Sequence, residues 1–132
     1  MAEFSDYMES AIINLMRNVA FTQIPAYVAL FTDVATGAEL EAGTLTNEVS
    51  GGAYARQLAG LSAPSPAGVS ANAADITFPT ATANWGTVAF VALMDAATAG
   101  NVLMYSALDA NKVVNSGDTF KINLGDLDVT VT

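Results

Sequence analysis

Residues 87–94, Thr-Val-Ala-Phe-Val-Ala-Leu-Met, form an unbroken apolar run, and a second run of alternating size and polarity covers 102–108. The first is too short for a free-standing helix and rich in β-favouring side chains, so it reads as a central strand covered on both faces. Between the two runs, residues 95–101 hold Gly100 and Asn101, the chemistry of a reversal. The two runs therefore predict an antiparallel hairpin at the centre of the fold. Any architecture for this chain has to be built outward from that pair.

Turn signals divide much of the remainder into further strands. Residues 26–32 carry Tyr27, Val28, Leu30 and Phe31, and 53–61 form a second extended stretch that ends at Ala63-Pro64-Ser65-Pro66-Ala67-Gly68. Ile76 and Phe78 mark a short strand stopped by Pro79. After the turn Asn115-Ser116-Gly117-Asp118, Phe120, Ile122 and Leu124 alternate with polar residues, and Leu127, Val129 and Val131 resume the alternation beyond Gly125-Asp126. The expectation is that these last two segments pair as a closing hairpin. The polar stretch 33–50, with Asp33, Glu39, Glu41 and Glu48, reads as a long exposed acidic loop.

One segment keeps a different period. Met8, Ala11, Ile12, Leu15, Met16 and Val19 fall three and four apart, drawing an apolar stripe along a helix whose other side carries Asp6, Glu9, Asn14 and Arg17. Ser5 suits its N-cap, and Asp6 and Glu9 suit the positive end of its dipole. Pro25 cannot sit in a helix interior and biases Ile24 to an extended shape, so the helix ends earlier. The expected fold class is mainly β, an antiparallel β-sandwich or jelly-roll-like barrel with one N-terminal α-helix. Residues 1–24 supply the helix and a linker, and 25–132 a β-sandwich domain, a single folded unit without internal repeats.

Composition narrows function by exclusion. Of 132 residues, 52% are hydrophobic and only 13% charged, a dry balance that points to surface covered by other chains. Thirteen carboxylates against Arg17, Arg56, Lys112 and Lys121 give a net charge of −9, which opposes nucleic acid and anionic membrane alike. No apolar run approaches the roughly 20 residues that span a bilayer. The acidic N-terminus does not look like a secretory signal, so assembly in a host cytoplasm is expected.

Histidine and cysteine are absent, which removes the usual proton shuttle, the thiolate nucleophile and thiolate metal ligands. Gly51-Gly52 lacks the Lys and hydroxyl residue of a phosphate loop, and the acidic residues follow no calcium-loop spacing. The expectation is a non-enzyme with no cofactor, no bound metal and no catalytic residues. Candidate partner contacts are the helix residues Met8, Ile12, Leu15 and Met16, the acidic Glu39 and Glu41, and two residues with a competing internal role. Arg56 suits an internal salt bridge, and Trp85 suits a core plug.

Three stretches carry a resemblance: Glu48-Val49-Ser50-Gly51-Gly52-Ala53-Tyr54-Ala55-Arg56-Gln57; Ala74-Asp75-Ile76-Thr77-Phe78-Pro79 continuing to Trp85-Gly86-Thr87-Val88; and Val114-Asn115-Ser116-Gly117-Asp118-Thr119-Phe120. Together with Tyr27-Val28-Ala29-Leu30-Phe31-Thr32 they resemble small virion proteins of tailed bacteriophages, described as tail-fibre proteins or as capsid cement proteins. The resemblance implies a virion structural protein on the outer capsid surface or the tail. The expected partners are the major capsid protein or other virion proteins, and a homo-oligomer, with a trimer favoured by analogy. Because the chain offers neither a repeat nor a coiled coil to span distance, a capsid decoration protein that stabilises the shell is expected first. A tail or neck adaptor or a tail-fibre, receptor-binding component is the alternative.

Overall fold

The computed structural model describes residues 3–22 and 25–131; the extended shape expected of Ile24 lies outside them. A five-stranded antiparallel sheet forms the centre, in the order β1-β7-β6-β2-β3. Its strands are β1 (Glu3–Phe4), β2 (Tyr27–Thr32), β3 (Gln57–Leu58), β6 (Gly86–Met94) and β7 (Val102–Val114). The central hairpin is β6 with β7, and β2 flanks β6 on its other edge. Two small antiparallel sheets complete the β structure: β4 (Val69–Ala71) with β9 (Asp128–Thr130), and β5 (Ile76–Thr77) with β8 (Lys121–Ile122).

Alternation along β2 shows how the layers form. Val28 and Leu30 enter one core with Val88, Val91, Leu93, Met104 and the residues of the small sheets. Ala29 and Phe31 enter a second core on the opposite face, with Ala92, Met94, Val102 and Tyr105. The main sheet is thus covered on both sides, as the unbroken apolar run 87–94 requires. Val88 and Val91 share a face despite their odd spacing because the ladder shifts register between Val88 and Phe90. The fold is mainly β and sandwich-like, and its sheets do not close into a barrel among the described residues.

Three sequence expectations are corrected. The 33–50 stretch is not simply an exposed loop. It contains a short helix, α2 (Gly37–Glu41), and places Ala35 and Leu40 in the second core, with Leu45 against it. Its acidic composition hides three apolar residues about five apart, and the capping box of Thr36 and Glu39 starts the turn that buries Leu40. The 53–61 stretch is mostly irregular, with only Gln57–Leu58 in a strand. The two closing segments do not pair with each other: β8 pairs with β5 and β9 with β4, so each crosses to a strand about 45 to 60 residues away in sequence. The loop between them is used instead to reach Asn72, whose amide and carbonyl groups hold Asn123, Leu127 and Gly125.

The N-terminal helix α1 (Asp6–Met16) begins where the sequence places it. Ser5 is fully buried; its hydroxyl donates to the Val102 carbonyl and accepts from the Met8 amide. Met16 is the last helical residue, and Asn18 adopts left-handed φ of 63° while the Val19 amide returns to the Asn14 carbonyl at 2.8 Å.

Candidate partner-binding surface

Helix α1 is tied down at one end only. β1 pairs with β7 through Glu3–Tyr105 and Phe4–Met104, and the Ser5 amide reaches the Leu103 carbonyl at 3.0 Å. Beyond this anchor the helix buries no residue. Met8, Ala11 and Ile12 are half-buried, whereas Ile13, Leu15, Met16 and Val19 are exposed, Met16 to 77%. On the stripe itself, the residues near the anchor are half-buried, and Leu15 and Met16 at the far end are exposed. An apolar stripe with its far half in water is a candidate for contact with another chain.

The expected acidic contacts do other work. Glu39 closes the α2 capping box by accepting from the Thr36 amide at 3.1 Å, and it accepts from the Asn47 side chain at 3.2 Å. Glu41 lies 3.5 Å from the Tyr105 hydroxyl, which donates to Glu3 at 2.6 Å. Burial and then the neighbouring Glu3 carboxylate push the Tyr105 phenol up, so it stays protonated as the shared donor. Glu3, Glu41 and Tyr105 join the start of the chain to α2 and β7 beside the helix anchor.

Arg56 and Trp85 lie elsewhere and point inward. Arg56 is 8% exposed and forms a two-pronged pair with Glu48, Nε to Oε1 and Nη2 to Oε2, both at 2.7 Å. Its remaining prong donates to the carbonyls of Ala96 and Ala99, at 2.8 and 2.7 Å, fixing the 95–101 turn. A planar guanidinium can do this; an ammonium group could not cover both directions. Tyr54 donates to the same Glu48 carboxylate at 2.9 Å and accepts from the Leu30 amide. Burial is the main cause that pushes the Tyr54 phenol up.

Trp85 is 5% exposed and its indole N–H donates to the Gly52 carbonyl at 2.8 Å. Gly52 takes a left-handed φ of 55°, and a Cβ there would come within 2.9 Å of the indole nitrogen, so the tight approach needs glycine. Tyr54 meets Trp85 edge-on and stacks on Phe78, which meets Phe120 edge-on. This aromatic series and the Arg56 pair are internal supports; of the helix candidates, Leu15 and Met16 are exposed and Met8 and Ile12 half-buried. Sequence reasoning missed Glu48 as the partner of Arg56 and missed the Glu3–Tyr105 contact. Nothing local marks either, since their partners lie 8 and 102 residues apart.

Among the described residues no group of three or more His, Cys, Asp or Glu could hold a metal ion, and no helix is long and apolar enough to cross a membrane. No curated protein matches the chain. A family model described as Podophage GP4 fiber I protein gp80 matches residues 3–130, which include every motif that carried the resemblance to tailed-phage proteins. With nearly the whole chain matched, it belongs to the family of Podophage GP4 fiber I protein gp80, a family of phage virion structural proteins.

Proposed function

We propose that this chain is a non-catalytic assembly subunit of the phage fibre apparatus, which docks onto a neighbouring virion protein through the exposed face of α1. The observation that carries this is the helix itself, rigidly started by a buried cap yet uncovered at Leu15 and Met16 on its stripe, with Val19 exposed just beyond its end. Covering these three side chains would contribute about 1 kcal/mol each, since each already has part of its surface out of water. The family's own description names a fibre protein, which favours the fibre over the capsid surface. A compact body without repeats suits an attachment or terminal piece of a fibre better than its shaft. The absence of histidine and cysteine agrees with a role in which nothing reacts.

Capsid decoration would use the same helix against a shell subunit, and copy number separates the two. Quantitative mass spectrometry of purified particles should give on the order of ten copies for a fibre component, against hundreds for a decoration protein that follows shell symmetry. Particles made with Met16→Asp should lack the protein while the purified variant keeps its fold. Full incorporation of that variant would end the docking proposal.

A further inference from the structure

Residues 3–22 form an arm that is seated on its own chain by a narrow plug. β1 pairs with β7 at Glu3–Tyr105 and Phe4–Met104, the Ser5 amide donates to the Leu103 carbonyl at 3.0 Å, and the Ser5 hydroxyl donates to the Val102 carbonyl. Phe4 packs against the first core, and Glu3 accepts from the Tyr105 hydroxyl at 2.6 Å. From Asp6 to Met16 the helix buries no residue. The return segment rests on it through Phe21 against Tyr7, ring centroids 6.4 Å apart, and the exposed Pro25 precedes β2. The arm is thus held to the body chiefly by Glu3, Phe4 and Ser5.

The seat is specific, and its edge is open. On the side opposite β6, β7 is paired by β1 alone among the described residues, so a strand from outside can enter once the plug leaves. Ser5 is fully buried there, and its hydroxyl and amide end on the consecutive carbonyls of Val102 and Leu103. The segment that matches this seat is therefore Glu3-Phe4-Ser5 itself, and every copy of the chain carries it. The 11-residue helix followed by an extended stretch 17–25 spans roughly 45 Å, whereas a body of this chain length is roughly 35 Å across. The arm of one copy reaches the seat of a copy beside it.

We propose that β1 and Ser5 exchange between copies, each arm seating on the β7 edge of a neighbouring chain so that α1 spans the junction. Exchange remakes the seat contacts of the closed chain, so it needs no second recognition surface. Copies crowded at one assembly site supply the effective concentration that favours it. The narrow plug and the exposed end of α1 fit a segment that changes chains, since little of the arm is committed to its own body. A net charge of −9 per copy resists packing of one body on another, and joining through arms keeps the bodies apart. An unrelated strand is the poorer fit, because it would have to bring a small hydroxyl residue to the buried Ser5 position. The inference goes beyond docking through the exposed end of α1 and does not depend on it.

Because the chain has no cysteine, a disulfide can report which chains pair. The Ser5–Leu103 hydrogen bond makes Phe4 and Met104 the closely spaced, non-hydrogen-bonded pair, within reach of an S–S bridge. Phe4→Cys and Met104→Cys chains carrying tags of different length are mixed, equilibrated, oxidised and separated on a non-reducing gel. The mixed disulfide should exceed either same-variant disulfide about tenfold, against about twofold for random collision. The wild-type chain, which no substitution disturbs, should sediment as an oligomer that Ser5→Asp converts to monomer and Met16→Asp leaves intact. A mixed disulfide at the random ratio, or a wild-type chain that stays monomeric when concentrated, would overturn the proposal. So would an oligomer that survives Ser5→Asp or is lost with Met16→Asp, because the copies would then be joined elsewhere. Failure of α1 docking is read separately, by incorporation of Met16→Asp into particles.

Discussion

Helix α1 and the irregular stretch from Glu48 to Arg56 reverse the usual relation between regularity and stability. The helix has a clean period, a cap and a terminal left-handed residue, yet none of its residues is fully buried. The stretch 48–56 has no assigned strand or helix beyond a single bridge, yet it supplies Arg56, Tyr54 and the Gly52 carbonyl to contacts that tie the core to the 95–101 turn and to Trp85. Regular hydrogen bonding inside an element satisfies its backbone without any help from packing. An irregular segment survives in the interior only if side chains and distant backbone satisfy it instead. Here no buried side-chain polar atom among the described residues lacks a partner. The contrast implies that the loop region carries stability, whereas the helix contributes little to it and, on the proposed reading, serves assembly.

The largest expected loss comes from Trp85→Ala, which removes the indole between Gly52 and Tyr54 and should cost about 4 kcal/mol in a denaturant titration. A loss below about 1 kcal/mol would mean that the irregular region does not support the core. Arg56→Ala follows at about 3 kcal/mol, because Glu48 would remain half-buried without its partner and the 95–101 turn would lose two anchors. Its signature is faster amide exchange at 96–101.

Ser5→Ala tests the helix from its anchor. It should cost about 2 kcal/mol, more than an ordinary exposed cap, since the Val102 carbonyl also loses its buried donor. Circular dichroism should show helix lost before the β signal on heating. Leu15→Asp, on the exposed half of the same helix, should change stability by less than about 0.5 kcal/mol while blocking incorporation into particles. Equal losses from Leu15→Asp and Ser5→Ala would erase the distinction between an anchored end and a free one.

The smallest effect concerns pH. The Leu124 amide first, and then Lys121, hold the exposed Asp75 carboxyl below its ordinary value of 3.8. A carboxylate with a lowered folded value stabilises the native state above that ordinary value, and its contribution is lost as pH falls through the lower folded value. Asp75→Asn should therefore lower stability slightly at neutral pH, where this contribution is present, and flatten the acid limb below about pH 4, where the wild-type chain loses it. An unaltered acid limb would show that the β5–β8 strut does not depend on this carboxylate.

What was legible in the sequence was whatever a local pattern encodes. The β6–β7 hairpin follows from two apolar runs and an intervening turn, and the start of α1 follows from Ser5 and a period of three to four. The alternation at Phe120, Ile122, Val129 and Val131 correctly signalled extended chain near β8 and β9 but misled about pairing. Strands of two or three residues carry too little pattern to choose a partner. The acidity of 33–50 concealed the spacing of Ala35, Leu40 and Leu45, so a core-covering segment read as solvent-facing. Of the eight candidate contact residues, Leu15 and Met16 are exposed, Met8 and Ile12 are half-buried on the same helix, and Arg56 and Trp85 turn inward.

By itself, then, the sequence determined a mainly β chain with one amphipathic helix and no histidine or cysteine chemistry, because composition and short periodicities are properties of neighbouring residues. Tertiary structure alone decided that Arg56 would meet Glu48, that Ser5 would be buried under Val102 and that β8 would leave β7 for β5. Those outcomes depend on competition among segments far apart in the chain. Which contact wins is set by the packing of the whole, where each buried polar group must find a partner and each apolar face a cover.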